Sequence, residues 1–208
     1  MAHDFQSNIT HSSANSTYGV DISSPISETT FSCLIGDGFT FAIVRAYESS
    51  GTPDKNAPAT IANARAAGMK YVDVYLFPCP KCSKTASQQV EEMMQSLKGS
   101  DYGMVWLDIE GSEYWLGSTS ANQQFFKDLL TAAQAHKCVG VYSSESQWSE
   151  IFGDSFTGGS SRPLWYAHYD NSASFSDFKP FAGWSKPAMK QYVGDATVCG
   201  ADVDKNWY

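Results

Sequence analysis

The sequence predicts an α/β fold, a clipped TIM-like barrel of about five β/α units followed by strands joined by loops. Three observations carry this reading. Eight short apolar runs rich in β-forming residues recur along the chain, the early ones alternate with helix-like stretches, and the spacing between runs shortens in the second half. Strand, helix, strand at the early spacing calls for right-handed crossovers and a parallel sheet. Eight strands suggest that this sheet closes on itself, with an open doubly wound sheet as the alternative. A complete (β/α)8 barrel takes about 250 residues. A chain of 208 residues must therefore give up helices, and the second half lacks room for full ones.

The strands are expected at Tyr18 to Asp21, Phe39 to Ala46, Tyr71 to Phe77, Gly103 to Asp108, Val139 to Ser143, Pro163 to His168, Ala188 to Val193 and Ala201 to Trp207. Helices are expected at Ser27 to Ile35, Ala57 to Ala67, Ser87 to Leu97 and Ala121 to His136, with Gly68 and Gly99 as C-terminal stops. The Gly158 to Ser161 stretch reads as a surface loop. We read residues 1–16 as a flexible polar tail and 17–208 as a single domain.

With 42% hydrophobic and 17% charged residues, the chain has the composition of a globular protein. Its longest apolar runs, such as Phe41 to Val44 and Val139 to Tyr142, fall far short of the ~18 residues that cross a bilayer, so no membrane is expected as a partner. Twenty-two acidic against fourteen basic residues give a formal net charge of -8, which repels a phosphate backbone and argues against nucleic acid. Five cysteines allow at most two disulfides and leave one thiol over. The Cys79-Pro80-Lys81-Cys82 pair lacks the second closely spaced Cys or His pair of a structural zinc site, and it lacks the context of a redox C-x-x-C. Neither a metal nor a cofactor is expected.

Carboxylates collect at strand ends. In Met104-Val105-Trp106-Leu107-Asp108-Ile109-Glu110 a strongly apolar strand runs into two acids one residue apart, which at period two face the same way. Asp21 ends the first strand and Asp204 lies in the last, and active sites of β/α barrels lie at the C-terminal ends of the strands. A lone Asp after a strand is more often a helix N-cap, the competing reading for Asp21, six residues ahead of Ser27. Asp108 and Glu110 resist it, since two carboxylates on one face after a buried strand are costly unless used. Crowded like charges separate pKa values, so that one carboxyl stays protonated while its neighbour is ionised. That is what cleavage of a glycosidic bond requires. A calcium or magnesium site is the rival, but there is no D-x-D-x-D-G loop and no histidine beside the acids. Tyr75, Phe77, Tyr142, Trp165, Tyr169 and Tyr192 gather within or just beyond strands, with Gln191 as a polar partner. Such rings suit the apolar faces of a sugar, against the plainer reading of barrel packing.

Five stretches in order carry a resemblance. Tyr18-Gly19-Val20-Asp21-Ile22-Ser23, the Asp108-x-Glu110 pair, Leu164-Trp165-Tyr166-Ala167-His168-Tyr169, Lys190-Gln191-Tyr192 and Val203-Asp204-Lys205-Asn206 resemble the Chalaropsis-type lysozymes, glycoside hydrolase family 25, over about residues 17 to 208. The resemblance implies an irregular (β/α)5(β)3 barrel. It also implies cleavage of the β-1,4 bond between N-acetylmuramic acid and N-acetylglucosamine in bacterial peptidoglycan. Glu110 is implied as the general acid and Asp108 as the group that steadies positive charge in a substrate-assisted step, an exception to the two-carboxylate rule. Direct attack by a carboxylate is the alternative. Asp21 and Asp204 match the other two family carboxylates, with Asp202 as a rival for the latter. Tyr75 matches a mouth tyrosine, and we assign Tyr142, Trp165, Gln191 and Tyr192 to substrate binding. The Cys79 to Cys82 loop departs from the bacterial pattern and looks like the animal and amoebozoan branch.

In such a barrel helices run antiparallel to strands. Cys33, near the end of the first helix, would lie at the bottom, where Cys199 enters the last strand beside the first. These two are expected to bridge, Cys79 and Cys82 to close a loop at the mouth, and Cys138 to remain a buried thiol. Disulfides, together with the sequons Asn8-Ile9-Thr10 and Asn15-Ser16-Thr17, agree with a secreted or lysosomal/phagosomal monomer whose signal is absent. Two other readings stay open. One is a glycosidase of chitin or another N-acetylhexosamine polymer, and the other a catalytically silent saccharide-binding protein, against which the intact acid pair stands. An anionic wall and a net charge of -8 together predict an acidic optimum.

Overall fold

A computed structural model describes residues 16–208, so the two sequon asparagines and nearly all of the tail expected at 1–16 lie outside the described residues. The elements run β1 (Tyr18–Ile22), α1 (Glu28–Gly36), β2 (Phe41–Glu48), β3 (Thr52–Pro53), α2 (Ala57–Ala66), β4 (Tyr71–Leu76), α3 (Ala86–Ser96), β5 (Val105–Asp108), α4 (Thr119–Gln134), β6 (Val139–Ser143), α5 (Glu145–Phe152), β7 (Leu164–Ala167), β8 (Met189–Val198) and β9 (Ala201–Trp207). Eight strands close into a barrel because β1 pairs with β2 on one side and β9 on the other, while β3 is a two-residue ribbon on β2. Closure, rather than the open sheet, is the outcome.

Five β/α units are followed by three strands without helices, the irregular (β/α)5(β)3 arrangement. One feature departs from the expected layout. Pairing is parallel from β1 round to β8, but β9 is antiparallel to both β1 and β8. The fifth helix that five β/α units require, α5, is the one whose position the sequence does not mark strongly. The Ser144 side chain accepts from the Gln147 N–H at its start, and Gly153, at φ 83, ends it.

Local signals explain the earlier helices. Ser27, not Asp21, caps α1 by accepting from Thr30 N–H, and Thr85 and Gln88 form a reciprocal capping box on α3. Along the strands, alternation sorts side chains into two layers. Val20, Val44, Val74, Leu107, Ile109 and Val141 face outward into the main core beneath the helices. Phe41, Ile43, Tyr75, Trp106, Tyr142, Trp165 and Met189 fill the barrel itself. Gly140 has to be glycine, since a Cβ there would meet the Trp106 ring at 2.3 Å. Asp73 fixes that ring by accepting from Trp106 Nε1 at 3.0 Å.

Both expected disulfides form, Cys33 to Cys199 and Cys79 to Cys82. The geometry behind the first differs from the expectation. Cys199 lies in the turn between β8 and β9, with φ 55 followed by Gly200 at φ 74, so β9 enters from the mouth and not from the barrel bottom. Cys138 is free but exposed rather than buried, because it ends the loop after α4 just short of the first buried residue of β6.

Candidate active site

Period two on β5 and its continuation turns Trp106, Asp108 and Glu110 inward, while Leu107 and Ile109 point into the outer core. At the mouth these acids meet Asp21 from β1, Tyr75 from β4, Tyr142 from β6, Trp165 from β7 and Gln191 and Asp204 from β8 and β9. Tyr169, just past β7, completes a pocket of about 70 Å³. Asp204 reaches this end only because β9 runs backwards, which sets it level with Asp21 in the register.

Gln191 ties the pocket together. Its Nε2 donates to Asp21 Oδ2 at 2.8 Å and to Asp204 Oδ2 at 3.2 Å, while its Oε1 accepts from the Tyr142 hydroxyl at 2.6 Å and the Tyr169 hydroxyl at 2.8 Å. Asn206 is the second tie, donating to Asp21 Oδ2 at 2.7 Å and accepting from Trp165 Nε1 at 2.8 Å. Trp165 is in turn packed edge-on by Tyr142 and Tyr75. Amides rather than cations therefore hold Asp21, which is 7% exposed. Asp108 is 4% exposed, and its Oδ1 has no hydrogen-bond partner among the described residues.

Burial and crowding raise every acid in the pocket. Asp21 is pushed from 3.8 up to about 7, first by burial and then by the charge of Asp204, against the hydrogen bonds from Asn206 and Gln191. Asp108 rises well above its ordinary value through burial, then through Glu110 and Asp21. Glu110 rises through burial, Asp204 and Glu113. Asp204 also rises through burial, against the hydrogen bond from Asp195 N–H. Such a set keeps at least one proton where free carboxyls have lost theirs, and it offers a proton donor beside a carboxylate.

Eight of the nine residues that the sequence assigns to catalysis or substrate binding line this pocket; Tyr192 does not. It follows Gln191 on β8, so alternation turns it outward, where its ring meets Tyr18. Asp202 lies beside Asp195 in an adjoining pocket and is not in contact with the acid pair's own. Asn206 is a site residue that the sequence does not single out by itself, and its i+2 spacing from Asp204 on one strand face is the signal for its role. His168, Asp170 and Asp177 could bring three ligand atoms within 4.8 Å of one another, but the Lys190 ammonium already meets both carboxylates at 2.8 and 2.7 Å.

Residues 12–192 match the family described as lysozyme-like protein 1. A probable glycoside hydrolase family 25 lysozyme of Dictyostelium discoideum, number 2, is 54% identical over 193 residues, covering 91% of this chain and 90% of its own. A second from the same organism, number 4, is 48% identical over 93% of this chain and 91% of its own. Among solved structures, a family 25 lysozyme from Aspergillus fumigatus superposes with a TM-score of 0.75 at 22% identity, covering 91% of this chain and 93% of that one.

Proposed function

The chain belongs to glycoside hydrolase family 25, among the lysozyme-like proteins, and from that premise we propose that Glu110 and Asp108 carry its chemistry. It is a lysozyme, a hydrolase of glycosidic bonds. The bond we assign to it is the β-1,4 link from N-acetylmuramic acid to N-acetylglucosamine in bacterial peptidoglycan.

The observation that carries the assignment is the acid pair on one inner face, with one oxygen of Asp108 buried and unpartnered. Glu110 gives its proton to the glycosidic oxygen as the C1–O bond breaks. The sugar's own N-acetyl oxygen closes on C1, and Asp108 balances the positive charge of the resulting ring. Water then attacks C1 and returns a proton to Glu110. In the empty site burial raises Asp108 strongly, so the two acids share a proton. Bond cleavage proceeds from the form with that proton on Glu110 and Asp108 ionised. Asp21 and Asp204 hold Gln191 and tune the pair, while Tyr75, Tyr142 and Trp165 wall the sugar.

Two disulfides suit an oxidising compartment, and we place the protein as a secreted or lysosomal/phagosomal monomer. The test is clearing of a Gram-positive cell-wall suspension across acidic to neutral pH, with the reducing ends of the released fragments identified. The wild type is expected to release muramic-acid ends, and Glu110→Gln to lose roughly 100-fold or more of the rate. Hydrolysis of chitin oligomers but not of walls would redirect the substrate assignment.

A further inference from the structure

A groove of about 400 Å³ opens beside the acid pair. It shares Glu110, Tyr142 and Tyr169 with the catalytic pocket and runs outward between the start of α5 and the end of β7, past Glu145, Gln147 and His168. His168 is half exposed there, yet its ring is held from behind. Its Nδ1 lies 2.6 Å from Asp177 Oδ2, which also accepts from the Tyr166 hydroxyl at 3.2 Å. Behind Asp177 stands Lys190, fully buried, whose ammonium donates to Asp177 at 2.7 Å, to Asp170 at 2.8 Å and to the Ser174 carbonyl at 3.0 Å.

None of these charged groups takes part in bond cleavage as derived above. A loop that needed only to be tied down could use apolar contacts, which cost less than burying an ammonium with its carboxylates. What the network does achieve is a fixed imidazole. Against the upward push of its partial burial, hydrogen bonds from Lys190 and His168 hold Asp177 down at about 2, so it is an anion and His168 Nδ1 carries the proton. That leaves Nε2 as the ring's remaining hydrogen-bonding atom, and no residue among those described hydrogen-bonds it. Glu110 and Glu145 line the same groove and supply acceptors that suit the backbone N–H groups of a peptide.

We propose that this groove receives the lactyl-peptide branch of the muramyl residue at the cleaved bond, and that His168 is a specificity residue whose Nε2 hydrogen-bonds an amide group of that branch. The proposal rests on the lysozyme reading. That branch is what distinguishes a muramyl sugar from N-acetylglucosamine, and the groove starts at the acid that protonates the bond. The pocket of about 70 Å³ within the barrel has no room for it.

The test compares two soluble glycans of equal length, one carrying stem peptides and one stripped of them by an amidase. His168→Ala is expected to raise KM for the peptide-bearing glycan about tenfold more than for the stripped one, with little difference in kcat, the effect of one hydrogen bond. His168→Gln, which keeps a hydrogen-bonding side chain, should recover part of that ratio. Equal losses on both glycans, or none on either, would overturn the proposal. Should the wild type hydrolyse neither glycan, the lysozyme reading fails separately. The branch site is then tested by titrating the peptide-bearing glycan into Glu110→Gln with and without His168→Ala, and equal affinities would sink it.

Discussion

Asp21 shows what a single side chain costs and contributes here. Its carboxyl is pushed from 3.8 up to about 7 by burial and by Asp204, so the folded chain binds that proton more tightly than the unfolded chain does. The stabilisation this brings is complete below about pH 4 and is lost as the pH rises through about 7. The slope is at most about 1.4 kcal/mol per pH unit in that window. Asp21→Asn cannot ionise, and its amide oxygen can still accept from Gln191 and Asn206. We therefore expect the variant to match the wild type near pH 4 and to exceed it near pH 8 in urea midpoint, while losing activity at both. A constant offset at the two pH values would contradict this. Asp108 and Glu110 were legible because period two on an apolar strand makes the same statement in sequence and in space. Asn206 was less so: its partner Asp21 is 185 residues away, and an Asn late in a strand resembles any solvent-facing polar residue until that distant contact is known.

At the scale of elements, the strands could be read from their apolar runs, but their directions could not all be. The signal for the reversal of β9 was present as Val198-Cys199-Gly200-Ala201, two residues between strands with glycine second, which is hairpin chemistry. It was masked by ending the seventh run at Val193, whereas β8 continues to Val198 through two irregularities in its register. Helix α5 likewise had its cap in Ser144 and Gln147 but only eight residues, too few for a strong period. The hairpin supplies Gln191, Asp204 and Asn206 to the site, and its tip is bonded to α1 through Cys33 and Cys199 across 166 residues of sequence. Closing so long a loop in the unfolded chain is worth about 5 kcal/mol, against far less for the bridge spanning 3 residues at Cys79 and Cys82. Cys33→Ser with Cys199→Ser should lower the urea midpoint well beyond Cys79→Ser with Cys82→Ser. Equal shifts would mean that local packing, not chain constraint, holds the hairpin.

For the whole molecule, dropping the last three helices is what lets β9 run backwards, so the mouth draws on the early part of β9 as well as on the C-terminal ends of its neighbours. The price is a concentration of acid: Asp21, Asp108, Glu110 and Asp204 in the pocket, with Glu145 beside it, on a chain of net charge -8. Bacterial walls are anionic, so encounter at neutral pH and low salt works against like-charge repulsion. Raising ionic strength from about 0.01 to about 0.1 M shortens the screening length from about 30 to about 10 Å. Wall clearing at neutral pH should therefore speed up over that range, and the gain should shrink at acidic pH, where carboxylates outside the site are partly protonated. A short muramyl oligosaccharide carries far fewer charges than a wall and serves as the control, its initial rate changing much less with salt. If wall clearing instead slows as salt rises, a local cationic surface guides the substrate in, and the acidic optimum expected from net charge loses its basis.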